Sequence, residues 1–218
     1  MRRVWTVLST PEVRVVAAHA PAGRRAPVDR TPGDRAADRG AAHALLIEAV
    51  AAATGHDAGR LAVTHHCPRC GTTDHGVPAL TLAGTTLDLR VSLSRAPGLV
   101  LAAFGTAPGL GVDVERAGAA ADPALDRLIP PWAGSGAGAP EHRTPEQRTP
   151  ELRTRAWARI EAALKAWGTG LHVPADQVRD LGGHAAIGTD PRPAALTDLD
   201  VPGYQAALAV LAAPAPNS

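Results

Sequence analysis

Apolar and polar positions alternate with different periods along the chain, and each change of period marks an element. Residues 2–7 and 13–18 read as two short strands separated by a turn at Ser9-Thr10-Pro11. A loop rich in Pro and Arg follows, from Pro21 to Arg30. Thr31-Pro32-Gly33-Asp34 then has the order of a helix start: Thr as cap, Pro in the first turn, an acid behind it. Apolar spacing carries that helix to about Thr54, with Ala37, Ala41, Ala44, Leu45 and Ala49 expected inward and Gly55 ending it. Residues 64–79 read as a turn-rich segment. Beyond it, Leu87, Leu89, Val91 and Leu93 alternate with Asp88, Arg90, Ser92 and Ser94, which is the period of a half-buried strand. Gly98–Phe104 and Gly109–Glu115 read as further strands.

From residue 130 the pattern breaks. Pro130 to Gly138 has the composition of a flexible linker. Three copies of Pro-Glu-x-Arg-Thr follow over 140–154, too few for a solenoid. The first two read as an exposed loop, and the third as a helix start with Thr149 as cap, Pro150 in the first turn and Glu151 behind it. That helix should run to Trp167 and stop at Gly168-Thr169-Gly170. A last strand is expected at about Tyr204–Leu211. Helices and strands alternate without βαβ spacing, so the expected class is α+β.

Composition narrows the function classes. The 218 residues carry a net charge of +1, with 45% hydrophobic and 20% charged residues. This is a globular balance, and a non-specific nucleic-acid binder would be far more basic. No apolar run reaches the ~20 residues that span a bilayer, so no membrane association is expected. The N-terminus has no secretory core, and two cysteines cannot build a disulfide scaffold; a cytoplasmic protein is the expectation. Alanine accounts for 46 residues, and the 22 basic residues are 21 arginines and one lysine, Lys165. Where coding bias replaces nearly every lysine, the one that remains is either a chance surface survivor or a candidate for a position that needs a compact ammonium.

Two groups of residues can carry chemistry. In Gly111-Val112-Asp113-Val114-Glu115, a strand would turn Asp113 and Glu115 to one face. Two such carboxylates either sit at an exposed edge or share a cation, and hard oxygen ligands suit Mg²⁺. Trp157, Glu161 and Lys165 are spaced i, i+4, i+8 on one helix face. They read either as a surface Glu–Lys pair below a packed Trp, or as a third carboxylate beside an ammonium that would complete a metal-plus-phosphate site with Asp113 and Glu115.

Together these segments resemble the two signatures of the Sfp-type 4′-phosphopantetheinyl transferases. Those signatures are a Gly-Val-Asp-Val-Glu strand and a Trp-x-x-Lys-Glu-Ala-x-x-Lys-Ala-x-Gly-x-Gly-Leu helix, here Gly111–Glu115 and Trp157–Leu171. Cys67-Pro68-Arg69-Cys70-Gly71 with His75-Gly76-Val77-Pro78 resembles the family's Cys-x-x-Cys-Gly and Gly-Lys-Pro stretch, and Val91-Ser92-Leu93-Ser94-Arg95 its Ser-x-Ser-His segment. Ala42–Leu46 and Leu199–Tyr204 are also similar to family segments.

The resemblance implies two similar, pseudo-duplicated α+β halves packed around a central cleft. Residues 1–105 would form the coenzyme-binding half. Residues 106–218 would carry the metal strand and catalytic helix, with a flexible insert at about 130–149. It implies Mg²⁺-dependent transfer of 4′-phosphopantetheine from coenzyme A to a serine of an apo acyl or peptidyl carrier protein, releasing 3′,5′-ADP. Asp113, Glu115 and Glu161 would hold the metal. Glu161 and Lys165 would be catalytic, and Ser94, Arg95, Arg39 and Lys165 would bind the coenzyme. Either Glu161 or a metal-bound water would take the serine proton. Two halves in one chain make a monomer the expected state.

The chain departs from the pattern at four places. The Lys before the helix Glu is Ile160, next to Arg159; the Lys of Gly-Lys-Pro is Val77; the His after the second Ser is Arg95. The aromatic-led segment between the signatures is replaced by the Gly-rich linker and the repeat. A catalytically weakened member that binds coenzyme A or a carrier is therefore the alternative. Cys67 and Cys70 leave three readings open: a turn, a redox pair, or a zinc half-site completed by His65, His66 or His75. The zinc reading admits a small zinc-stabilised interaction protein.

Overall fold

The computed structural model describes residues 4–20, 32–119, 128–129, 149–188 and 190–214. The arginine-rich loop with Arg24, Arg25 and Arg30, the Thr31 cap and the linker with its first two repeats lie outside the described residues. The chain divides into two compact units, Met1–Thr106 and Ala107–Ser218. The described residues form twelve strands in three antiparallel sheets and two α-helices, a mixed α+β architecture. No described helix is long and apolar enough to cross a membrane.

In the first unit, β1 (Val4–Ser9), β2 (Val13–His19), β6 (Arg90–Ala96) and β7 (Leu99–Gly105) form a sheet of order β1-β2-β7-β6. Helix α1 (Pro32–Thr54) covers one face. Its Ala42, Leu45, Leu46 and Val50 are fully buried against Val16, Ala18, Val100 and Ala102. The buried stripe is rotated from the expected one: Ala41 and Leu45 are inside, but Ala44 and Ala49 are half-buried and Ala37 is exposed. Alanines on every side of α1 give it a weak apolar asymmetry, so the sheet rather than the pattern chooses which face is buried.

The turn-rich segment expected over 64–79 is shorter than that. Strands β3 (Leu61–His66) and β4 (Val77–Leu82) pair from Leu61↔Leu82 to His66↔Val77, and β5 (Thr85–Thr86) extends their sheet. Two histidines and Pro78 mask the alternation of this hairpin in the sequence.

In the second unit the sheet order is β8-β12-β11-β10-β9. Its strands are β8 (Leu110–Arg116), β9 (Arg179–Asp180), β10 (His184–Ile187), β11 (Asp190–Leu199) and β12 (Tyr204–Leu211). The sequence reading found β8 and β12 and missed β9 to β11. Pro191 and Pro193 disguise β11, because they precede the run Ala194–Leu199 that pairs with β12. Helix α2 (Pro150–Trp167) has the expected ends: Thr149 accepts from Leu152 N–H, and Gly168 adopts the left-handed conformation at φ 71°. Ile160, Ala163 and Leu164 of α2 pack with Val178, Ala185, Ala194 and Ala207 in the core of this unit.

Candidate functional site

The second unit brings Asp113, Glu115, Glu161 and Lys165 together through a close contact between α2 and β8. Gly109, just before β8, and Gly111, Asp113 and Glu115 on it share one face. Two of them are glycines, and they let the helix backbone approach. A Cβ on Gly111 would collide with the Ala162 carbonyl oxygen and come within 2.6 Å of Ala166 N. On the helix, Ala162 and Ala166 supply the matching small surface. Glu161 and Lys165, each one position earlier, lie at its margin beside the strand carboxylates. Neither backbone can move away cheaply, so Gly111→Ala should destabilise the unit by roughly 3 kcal/mol, the upper range for overpacking. Chemical denaturation of the variant checks this.

Lys165 sits among the acids. Its Nζ donates to Asp113 Oδ1 at 2.5 Å and to the Val112 carbonyl at 3.3 Å, and lies 3.6 Å from Glu161 Oε2. The Asp113 side chain is 3% exposed, against 29% for Lys165 and 24% for Glu161. The site is thus rooted in the protein and open at its tip. Burial works against the charge on Lys165, but Asp113 and Glu161 outweigh it and hold the ammonium pKa above its ordinary value. Among the described residues, Asp113, Glu115 and Glu161 are not gathered into one ligand-spaced group; Lys165 neutralises Asp113 directly.

The charges remain unbalanced, with three acids and one base. Burial, then the Asp113 and Glu161 charges, push the Glu115 pKa up to about 7, with Lys165 opposing. Glu161 is raised by burial and by Asp113, again against Lys165. A folded pKa above the unfolded one means that this contribution to stability is fully present below about pH 4.5. It is lost as the pH rises through about 7. In chelator, the Glu115 contribution should therefore lower the melting temperature between pH 5 and pH 8. Differential scanning fluorimetry reads this effect.

Arg159, the cation beside the missing helix lysine, does not face this site. It is 3% exposed and grips the 1%-exposed Asp180 through Nε at 2.5 Å and Nη2 at 2.9 Å. Nη1 donates to Asp198 at 2.9 Å, and Nη2 also donates to the Gly182 carbonyl. Arg155 joins Asp198 from outside. Burial alone would lower the Arg159 pKa, but its two carboxylates hold it above the ordinary range. The sequence reading missed this network. Its one available signal was an arginine at i−2 from Glu161, which i, i+4 spacing puts on a different helix face. Ile160, where the family pattern has lysine, is fully buried in the core.

No protein-family model matches the chain, and no curated protein matches it significantly.

The remaining predicted residues lie in the first unit. Register pairs Ser94 with Leu101 and Arg95 with Val100 on β6 and β7, so the two neighbours point to opposite sheet faces. Arg95 goes with Val100 to the α1 side, while Ser94 is buried on the other. Arg39 on α1 donates to the Asp74 carbonyl at 2.9 Å. His43 of α1 stacks on His65 of β3, ring centroids 5.1 Å apart. Burial first, then Arg39 and Arg95, lower the pKa of both histidines, with His65 adding to the effect on His43. Buried His43 Nε2 has no hydrogen-bond partner among the described residues. Arg39 and Arg95 thus act on one histidine pair and form a basic cluster; Ser94 does not share it. Helical spacing alone marks His43 only as a residue of α1, and the fold brings it to His65.

Proposed function

We propose that the protein transfers 4′-phosphopantetheine from coenzyme A to a serine hydroxyl of an apo carrier protein. The observation that supports this most directly is the α2–β8 contact. It gathers three carboxylates, two with raised pKa, around the single lysine of a chain that otherwise uses arginine. Such an acid surplus fits a hard divalent cation, with Asp113, Glu115 and Glu161 as its holders. Bound there, Mg²⁺ would supply charge neutralisation for a pyrophosphate.

The chain's own groups suit the rest of the task. Lys165 is long and partly exposed, so it can exchange Asp113 for a phosphate oxygen of the coenzyme. Glu161, with its raised pKa, is a stronger base than an ordinary carboxylate and suits removal of the serine proton. Arg39, Arg95, His43 and His65 offer cationic and N–H donors for the further phosphate that distinguishes coenzyme A from a simple diphosphate. Two similar α+β halves, a cytoplasmic setting and a monomeric state belong to the same proposal.

One observation favours the weakened alternative, a coenzyme A or carrier binder. Arg159 is committed to Asp180 and Asp198, and Val77, where the family pattern has lysine, is 42% exposed, so neither lost cation is replaced at its own position. Incubation with coenzyme A, Mg²⁺ and a panel of apo carrier proteins, read by intact mass, separates the two. A gain of one phosphopantetheine on a carrier is the expected result. Coenzyme binding by calorimetry without any mass gain selects the binder.

A further inference from the structure

We propose that the β3–β4 loop is a zinc site formed by Cys67, Cys70 and His75, with Asp74 orienting the histidine. Their ligand atoms all lie within 4.8 Å of one another, and both cysteines are free thiols. Tetrahedral zinc, with bonds of about 2.3 Å to sulfur and about 2.0 Å to nitrogen, needs its S and N ligands roughly 3.6 Å apart. Cys70 Sγ and His75 Nε2 are 3.4 Å apart. The other ring nitrogen, His75 Nδ1, donates to Asp74 Oδ1 at 2.8 Å. That bond directs the Nε2 lone pair at the thiols, the arrangement found when a carboxylate supports a metal-bound imidazole.

The backbone builds the loop for this purpose. Gly71 N–H donates to the Cys67 carbonyl at 2.9 Å and Cys67 N–H to that of Thr72 at 3.0 Å, which folds Cys70 back over Cys67. Gly76, at φ 105°, lies so close to the hairpin that a Cβ would overlap the His66 carbonyl and sit 2.6 Å from Cys67 Cα. This contact sets His75 beside the cysteine pair. The Arg39 bond to the Asp74 carbonyl anchors the same turn to α1. His65 is instead stacked on His43. Cys67 is buried while Cys70 and His75 are exposed, so the fourth tetrahedral position opens to solvent and takes water. Two thiolates and an imidazole select zinc over the hard cation expected at the carboxylates. On binding, each thiol gives its proton to solvent and its sulfur lone pair to the metal.

The full chain, purified under reducing conditions, should carry one zinc per molecule by elemental analysis. After chelation, Co²⁺ should restore thiolate-to-metal charge-transfer absorption and intense tetrahedral d–d bands. Cys70→Ser and His75→Ala, both at exposed positions, should lose these bands with the fold intact by circular dichroism, and Asp74→Asn should weaken Co²⁺ binding 10- to 100-fold. Asp113→Ala should keep the bands, which separates this site from the proposed transferase site. Absence of both stoichiometric zinc and thiolate–cobalt absorption overturns the proposal, as does wild-type cobalt binding by His75→Ala.

Discussion

Asp113→Ala and Glu161→Gln should each reduce phosphopantetheine transfer by roughly 10³-fold, the size of effect seen when a preorganised electrostatic partner is removed from a reacting phosphate or oxyanion. The two variants fail for different reasons. Asp113→Ala removes the buried carboxylate that holds Lys165 at 2.5 Å, so both a proposed metal holder and the lysine's anchor are lost. Glu161→Gln keeps the shape but removes one negative charge, lowering cation affinity and deleting the proposed base. The initial rate of carrier mass gain measures both. Added Mg²⁺ should partly rescue Glu161→Gln if affinity is the main loss, and should not rescue it if the base is. Full activity in either variant would refute the site.

Arg159→Met is expected to destabilise the second unit by about 3–5 kcal/mol, the range for breaking one side of a buried ion pair. The loss comes mainly from Asp180, which would stay buried as an uncompensated carboxylate. Adding Asp180→Leu should therefore restore much of the stability, because a matched apolar pair removes both desolvation penalties. Denaturant melts of the two single variants and the double variant form the cycle that checks this. Two independent mutations without recovery would mean that the network holds α2 through Gly182 and Asp198 rather than through the buried pair.

The legible parts of this protein are those whose signals are local. The α2 boundaries follow from Thr149, Pro150 and Gly168, since capping needs only residues within one turn. Strands β6, β7, β8 and β12 show alternation or short apolar runs. The carboxylate face of β8 and the Glu161–Lys165 stripe follow from periods of two and 3.6, and the stripe holds the single lysine of the sequence. The unread parts depend on distant partners. Strand β11 hides behind prolines, and the β3–β4 hairpin behind histidines and Pro78. In α1 the alanines are too uniform to show a buried face.

The sequence by itself determined which side chains share a face of one strand and one helix, because backbone geometry repeats every two or 3.6 residues. Only the tertiary structure decided that those faces meet, since their contact depends on Gly111 admitting the backbone of a helix far along the chain. It likewise decided that Arg159 serves a buried ion pair rather than an anion, that Arg95 comes to the α1 side of its sheet near His43 and His65, and that His75, among three nearby histidines, joins the cysteines. The first two rest on desolvation and close packing between residues far apart in sequence, and the third on how the hairpin turn folds back on itself, none of which local periodicity encodes.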